Sequence, residues 1–136
     1  MDNKYAHATF LLISAKEESW WFNNLVRSLS TLGELQVIPE KELQYIFQRK
    51  YDVVVVDAAA ASNEWLLVSR VHSQQPKARI IVVSAVPSWR RAREVILAGA
   101  VDYISKFLSE EEFHSVFKNA ITNISPFSYN TDSGSE

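Results

Sequence analysis

Three side chains in this sequence carry groups suited to phosphoryl chemistry, and each stands at the end of a short apolar run. Asp57 ends "YDVVVVD", Ser84 ends "ARIIVVS", and Lys106 directly follows "VDYIS". A carboxylate can act as a nucleophile toward phosphorus. A hydroxyl and an ammonium can each bind a phosphoryl oxygen as charge develops on it. The simpler alternative is a salt bridge between Asp57 and Lys106 that only closes the edge of a sheet, since buried ion pairs are often structural.

Five short apolar runs predict the strands that must position these groups. They are continuous rather than alternating, which is typical of parallel strands covered on both faces. The third run is also rich in β-branched valines, which favour strands. The five predicted strands are "TFLLIS" (Thr9–Ser14), "ELQVI", "YDVVVVD", "ARIIVVS" and "VDYIS".

Longer amphipathic segments between these runs predict helices. In the first of them Trp21, Leu25, Leu29 and Leu32 share one helical face. The predicted helices are "EESWWFNNLVRSLSTLG", "EKELQYIFQRK", "SNEWLLVSRVHSQQ", "SWRRAREVILAG" and "SEEEFHSVFKNAITNI". Capping patterns set their ends. The predicted N-caps are Ser62 or Asn63, Ser88, and Ser109 in a capping box with Glu112. The predicted helix stops are Gly33 and Gly99.

Alternating strands and helices predict an α/β fold, a doubly wound five-stranded parallel sheet with helices on both faces. In such a fold, ligands bind beyond the carboxyl ends of the strands. Asp57, Ser84 and Lys106 are therefore expected at one edge. Residues 1–124 are predicted to form one domain. The polar segment 125–136, "SPFSYNTDSGSE" with its first residue at 125, is predicted to be a disordered tail or linker.

Composition excludes several classes of function. The chain has 136 residues, a net charge of −2 and no cysteine, which argues against thiolate metal sites and a charge-driven nucleic-acid interface. It has no apolar run of the length that a membrane span needs and no signal peptide, so a cytoplasmic location is expected. Only 3 glycines occur, and none follows a strand in a phosphate-cradling pattern.

Two motifs carry a resemblance to a known family. "IIVVSAV" and "AGAVDYISKF", together with the strand-terminal Asp57 and the order of elements, resemble the receiver domain of two-component response regulators. The resemblance spans residues 8–124 and is stronger after Tyr51. It implies a flavodoxin-like (βα)5 receiver fold and a role in two-component signal transduction.

The resemblance also implies roles for individual residues. Asp57 matches the phosphoacceptor, and Ser84 and Lys106 match the residues that bind the phosphoryl group. Tyr103 matches the switch aromatic whose ring changes burial on activation. Ala85 matches the small residue that leaves room for that movement.

The sequence departs from the family where a metal would bind. Ser14 and Ala15 stand at the position of the acidic pair that holds Mg²⁺ in the family, and neither supplies a carboxylate. Glu17 and Glu18 lie a few residues further on. They are possible substitutes as ligands, but acids also suit the start of a helix. We therefore expect no cofactor, with Mg²⁺ possible only through such substitutes.

Two other features flank the site. Lys16 is a possible cationic substitute near Asp57, or a solvated loop residue. The family's usual Lys-Pro is here Lys106–Phe107, and a cis bond to a residue other than proline costs about 2.5–4 kcal/mol, so this peptide is expected to be trans.

A further set of residues predicts a protein interface. Trp89, Arg90 and Arg93 lie on the fourth predicted helix, and Trp and Arg are enriched at binding hot spots. In the resembling family this helix, the fifth strand with Tyr103 and the last helix form the usual partner or dimer face. A solvated helix face is the alternative. For Trp20, the alternatives are covering the rim of the site and simple exposure.

The sequence therefore predicts a receiver-like domain that acts by protein–protein interaction and has no enzymatic substrate of its own. The favoured form is an atypical receiver with weak or no Mg²⁺-dependent phosphorylation. One alternative is a conventional receiver phosphorylated on Asp57 by a histidine kinase, and another is a small ligand-binding protein of the flavodoxin type. The expected partner is a histidine kinase or a downstream output protein, and a homodimer through the fourth helix, fifth strand and fifth helix is possible. Neither a nucleic acid nor a membrane is expected as a partner.

Overall fold

The five predicted strands form one parallel sheet. The computed structural model describes residues 8–45 and 48–122. The strands are β1 (Ala8–Ile13), β2 (Gly33–Ile38), β3 (Val53–Asp57), β4 (Arg79–Ser84) and β5 (Asp102–Ser105). Their spatial order is β2-β1-β3-β4-β5, so β3 is the central strand. This order and the parallel pairing confirm the predicted doubly wound α/β fold.

The valines of β3 show how the sheet separates two cores. Val54 and Val56 belong to the apolar cluster on one face, and Val53 and Val55 to the cluster on the other. Successive strand residues point to opposite faces, so a strand buried on both sides must be apolar throughout. All four valines are fully buried. The unbroken apolar run follows from this central position.

Four α-helices cover the two faces. They are α1 (Trp20–Leu32), α2 (Glu64–Gln74), α3 (Trp89–Ala98) and α4 (Glu110–Thr122). Helices α1 and α4 pack together on one face, and α2 and α3 on the other. Several predicted caps are confirmed: Asn63 and Ser88 accept backbone N–H groups, and Ser109 and Glu112 form a reciprocal capping box.

One predicted helix is not an α-helix. The segment predicted from "EKELQYIFQRK" forms a 3₁₀ helix over Glu40–Tyr45 after Pro39, and residues 46–47 lie outside the described part. Among residues 40–44, only Leu43 is buried. One apolar anchor among these five residues suits a short 3₁₀ turn. The fourth and fifth predicted helices are therefore α3 and α4.

Gly33 joins α1 to β2 for a steric reason. A Cβ atom at this position would lie 2.2 Å from the carbonyl oxygen of Ala8 on the neighbouring strand. The backbone of β2 can approach β1 this closely only without a side chain. Gly33 therefore ends the helix, as predicted, and also begins the strand. None of the helices in the described ranges has the length and apolar character to cross a membrane.

Candidate functional site

Asp57 lies at the carboxyl end of the central strand, inside the protein. Its residue is only 3% exposed. One carboxylate oxygen, Oδ1, accepts a hydrogen bond of 3.0 Å from the backbone N–H of Ala59, in the short 3₁₀ helix Ala58–Ala60 that follows β3. A buried carboxylate is costly unless its oxygens are satisfied. Both oxygens of Asp57 therefore need hydrogen-bond or charge partners.

Lys106 supplies the opposite charge. Its Nζ lies 2.7 Å from Asp57 Oδ1, and the two side chains are 6% and 4% exposed. The ammonium also lies over the indole ring of Trp21, 4.1 Å from the ring centroid. Trp21 is buried and makes an edge contact with Phe22. A cation over an aromatic face gains electrostatic stabilisation that grows as water is excluded. Trp21 therefore both shelters and positions Lys106.

Ser14 satisfies the other carboxylate oxygen. Its hydroxyl donates to Asp57 Oδ2 at 2.8 Å, and the residue is fully buried. The backbone oxygen of Ala15 lies 3.0 Å from the same hydroxyl. The hydroxyl has one proton, and the shorter, charge-assisted bond to the carboxylate is the stronger of the two. Ser14, Asp57, Lys106 and Trp21 thus form a closed cluster, which we call the Asp57 cluster.

The residues around this cluster do not fit a magnesium site. Ala15 has no donor atom in its side chain, and Glu17 and Glu18 are exposed. Glu17 accepts a hydrogen bond from the Ser19 hydroxyl, and both acids precede α1, whose first turn contains no acidic residue. Mg²⁺ requires an oxygen-rich, nearly octahedral donor set. In residues 8–45 and 48–122 no group of three acidic, His or Cys side chains is arranged to hold a metal ion.

The predicted cationic substitute also lies elsewhere. Lys16 is exposed in the loop before α1, and within the described ranges Lys106 is the ammonium paired with Asp57. The expectation that Lys16 stands in for a missing cation is not supported by this arrangement. No cis peptide occurs in the described chain, so the Lys106–Phe107 peptide is trans, as expected.

Ser84 and Ala85 follow β4 at the same edge. Ser84 is 4% exposed, and its backbone oxygen accepts from the Lys106 N–H at 2.9 Å, which brings the ends of β4 and β5 together. Its hydroxyl oxygen accepts the Val86 N–H at 3.2 Å and thereby shapes the turn after the strand. Ala85 is exposed. In the described chain, Ser84 makes no hydrogen bond to the Asp57 carboxylate.

Tyr103 is half-buried on β5 and packs against the core on the α2 and α3 side of the sheet. Its hydroxyl oxygen is buried and has no hydrogen-bond partner in the described structure. An unsatisfied buried hydroxyl costs free energy, so a hydrogen bond from a new partner to the Tyr103 hydroxyl would be stabilising.

The predicted interface residues lie on the outer side of α3. Trp89 is 79% exposed, and Arg90 and Arg93 are also exposed. With Glu94 and Leu97 they line a shallow groove of about 400 Å³. The groove therefore brings an indole ring and two guanidinium groups together on the outer side of α3.

A second ion pair connects α2 to α3. Arg91 Nη1 lies 3.6 Å from Glu64 Oε2, while Glu64 Oε1 is buried without a hydrogen-bond partner. Burial raises the pKa of Glu64, and the Arg91 guanidinium opposes this rise while the nearby Glu94 carboxylate adds to it. This pair was not predicted from the sequence, because the two residues meet only when the two helices pack.

Comparisons with known proteins agree with this architecture at the level of the fold. No family model matches the chain, and no curated protein matches its sequence. Among solved structures, a response regulator from Thermotoga maritima is 23% identical with a TM-score of 0.74, covering 85% of this chain and 98% of its own. The signal receiver domain of an HD domain-containing protein from Pseudomonas fluorescens Pf-5 is 22% identical, also with a TM-score of 0.74, covering 88% and 90%.

A third solved structure extends the likeness. The CheY-like receiver domain protein from Methanospirillum hungatei JF-1 is 16% identical with a TM-score of 0.73, covering 86% of this chain and 95% of its own. These identities are low, so the likeness defines the fold. The chain has the fold of response-regulator receiver domains, as the sequence motifs predicted.

Sequence reasoning found the three chemical groups but missed how they are arranged. In the sequence Ser14 stands where the resembling family has an acid, and in the structure it donates a hydrogen bond to Asp57. Trp21 lies on the apolar face predicted for the first helix and is buried, but the sequence does not predict its contact with Lys106. This contact could have been predicted from the position of Trp21 at the start of α1, at the same edge of the sheet as Lys106. Trp20, beside it, is 61% exposed.

Proposed function

We propose that this chain is a receiver-like signalling module that acts by binding another protein, and that Asp57 serves as half of a permanent ion pair instead of accepting a phosphoryl group. The observation that carries this proposal is the Asp57 cluster. Oδ1 is engaged by Lys106 and the Ala59 N–H, and Oδ2 by the Ser14 hydroxyl. An incoming phosphoryl group would have to displace one of these donors.

Electrostatics supports the same conclusion. Phosphoryl transfer needs cationic charge on the phosphoryl oxygens, which a bound metal usually supplies together with a lysine. Here Lys106 is the cation at the site, and Ser14 and Ala15 offer no carboxylate to hold a second one. The Lys106 charge is already neutralised by Asp57. The cluster is therefore arranged for stability, and we propose no cofactor and no enzymatic turnover.

The proposed binding activity belongs to the face formed by α3, β5 and α4. Trp89, Arg90 and Arg93 are exposed there, and Tyr103 lies at its inner side. The partner class is a histidine kinase or a downstream output protein, with a cytoplasmic location and no nucleic acid. These assignments extend the resemblance and the exposed residues to a signalling role.

The second candidate is a conventional receiver in which Asp57 is phosphorylated. The observation in its favour is that Asp57, Ser84 and Lys106 do converge at one edge of the sheet. The closed state of the Asp57 cluster would then have to open before phosphorylation.

Intact-mass spectrometry separates the two candidates. The protein is incubated with Mg²⁺ and acetyl phosphate, and in parallel with beryllofluoride while tryptophan fluorescence is followed. We expect no mass gain and no Mg²⁺-dependent fluorescence change for the native chain. The matched variant carries Ser14→Asp and Ala15→Asp, which returns two carboxylates to the site. It is expected to gain a Mg²⁺-dependent response that Asp57→Asn removes.

The opposite pattern would reject the proposal. A Mg²⁺-dependent mass gain in the native chain, lost in Asp57→Asn, would identify a conventional receiver. Silence in the folded Ser14→Asp, Ala15→Asp variant would show that the missing acids are not the reason for inactivity.

A further inference from the structure

Exposed aromatic side chains surround the edge of the sheet at which the Asp57 cluster lies. Trp20 and Trp89 are the first residues of α1 and α3, Trp65 is the second residue of α2, and Phe107 directly follows Lys106. Helices that connect parallel strands begin at the carboxyl edge of the sheet. These four residues therefore lie at one end of the molecule, and we call them the aromatic rim.

All four side chains of the aromatic rim are substantially exposed. Trp20, Trp65, Trp89 and Phe107 are 61%, 45%, 79% and 58% exposed. Three of the 4 tryptophans in the chain are thus on the surface, and all three are in the rim. Tryptophan is enriched at binding hot spots, and a large exposed apolar surface marks an interaction site.

The exposed aromatic area is of the size that a protein interface needs. An aromatic side chain presents about 150–250 Å², so four that are about half exposed offer on the order of 400 Å². A standard interface buries about 800 Å² on each partner, of which the apolar centre is roughly this size. Val86, which is 75% exposed in the loop before α3, adds to it.

The charges on the two sides of the rim identify the occupant. On the α1 side, the loop before the helix carries exposed Glu17 and Glu18 beside Lys16, a net charge of −1. On the α3 side, Arg90 is exposed, and in the described chain it pairs with no carboxylate. One side is therefore acidic and the opposite side basic.

From these observations we infer that the aromatic rim is a self-association surface, which a second copy of this chain covers. A two-fold axis in the plane of the interface, running between the α1 and α3 sides, places the acidic side of each copy against the basic side of the other. The same operation sets Trp20 of one copy opposite the α2 and α3 aromatics of its partner. One chain thus presents both the apolar surface and the opposite charges that a second copy needs for pairing.

This inference goes beyond the proposed function, because the closed Asp57 cluster does not require a dimer. It differs from a dimer through the α3, β5 and α4 face: Trp89 and Arg90 belong to both surfaces, whereas Trp20 and Trp65 belong to the rim alone and Leu97 to the outer side of α3 alone. Leu97 is 76% exposed and provides a matched control.

Sedimentation velocity tests the surface. We expect the native chain to form dimers as its concentration rises from about micromolar to about millimolar, the range typical of a modest interface. The variant with Trp20→Ser and Trp65→Ser, which leaves the outer side of α3 intact, should raise the dimer Kd at least about thirtyfold, the loss typical of a tryptophan hot spot. Leu97→Ser should leave the Kd unchanged. Circular dichroism checks that each variant is folded, and the phosphorylation assay above reads the Asp57 cluster separately.

Charge reversal tests the arrangement. Arg90→Glu makes both sides of the rim acidic, and Glu17→Lys with Glu18→Lys makes both sides basic. Each variant alone should be monomeric where the native chain is dimeric, because like charges would then face each other. An equimolar mixture should form a heterodimer, because both contacts are complementary again.

Three outcomes would overturn the inference. The native chain could be monomeric at every concentration. The dimer could dissociate in Leu97→Ser but persist in the Trp20→Ser, Trp65→Ser variant, which would assign it to the α3, β5 and α4 face. The charge-reversed variants could fail to associate on mixing.

Discussion

The Asp57 cluster predicts that Lys106 contributes more to stability than to signalling. Replacing Lys106 by Met keeps much of the side-chain volume but removes the ammonium 2.7 Å from Asp57 Oδ1. Asp57 would then retain two neutral donors, the Ser14 hydroxyl and the Ala59 N–H. Because both charged side chains are almost fully buried, water cannot replace the lost partner.

The expected loss of unfolding free energy in Lys106→Met is large for a single substitution. Removing one member of a buried ion pair costs about 3–5 kcal/mol, since the other charge is left uncompensated. A domain of this size has a total unfolding free energy of about 5–15 kcal/mol. The double variant Asp57→Asn, Lys106→Met contains no buried charge at this position. We expect it to be more stable than Lys106→Met alone, by about 2 kcal/mol or more.

The native chain, the two single variants and the double variant form a double-mutant cycle. Urea unfolding followed by circular dichroism measures the stability of each, with an unchanged m-value as the test of two-state behaviour. Lys16→Met is the matched control, because Lys16 is exposed in the loop before α1. It should change stability by no more than about 0.5 kcal/mol. Additive losses from Asp57→Asn and Lys106→Met would refute the reasoning, because they would mean that the two side chains do not interact in solution.

Two further predictions concern other parts of the fold. Burial raises the pKa of Glu64, so the folded state holds this proton more tightly than the unfolded state. Stability should therefore fall as pH rises from the ordinary glutamate value of about 4.3 through the raised pKa, and Glu64→Gln should remove that fall in urea titrations at several pH values. Gly33→Ala would place a Cβ 2.2 Å from the Ala8 carbonyl oxygen. It should destabilise the protein by about 1–3 kcal/mol, measured as a shift in the urea midpoint, whereas an unchanged midpoint would contradict the steric argument.

Local patterns were sufficient to predict most of the secondary structure. The valine run of β3 could be assigned because a strand buried on both faces must be apolar at every position. Ser88, Asn63, Ser109 and Glu112 marked helix starts because their side chains bond only to backbone a few residues away. The segment after Pro39 was predicted wrongly: it forms a 3₁₀ helix over Glu40–Tyr45, and of residues 40–44 only Leu43 is buried.

Asp57, Ser84 and Lys106 could be identified from the sequence, because each follows or ends a predicted strand and the carboxyl ends of parallel strands lie at one edge of the sheet. The closed arrangement of this site, in contrast, depends on tertiary packing. Ser14 lies 43 residues from Asp57 in sequence, and its hydroxyl reaches the carboxylate only because β1 pairs with β3. Trp21 covers Lys106 only because α1 packs across that edge. Periodicity and capping act over a few residues, whereas hydrogen bonds and charge contacts between distant segments depend on how the strands and helices pack.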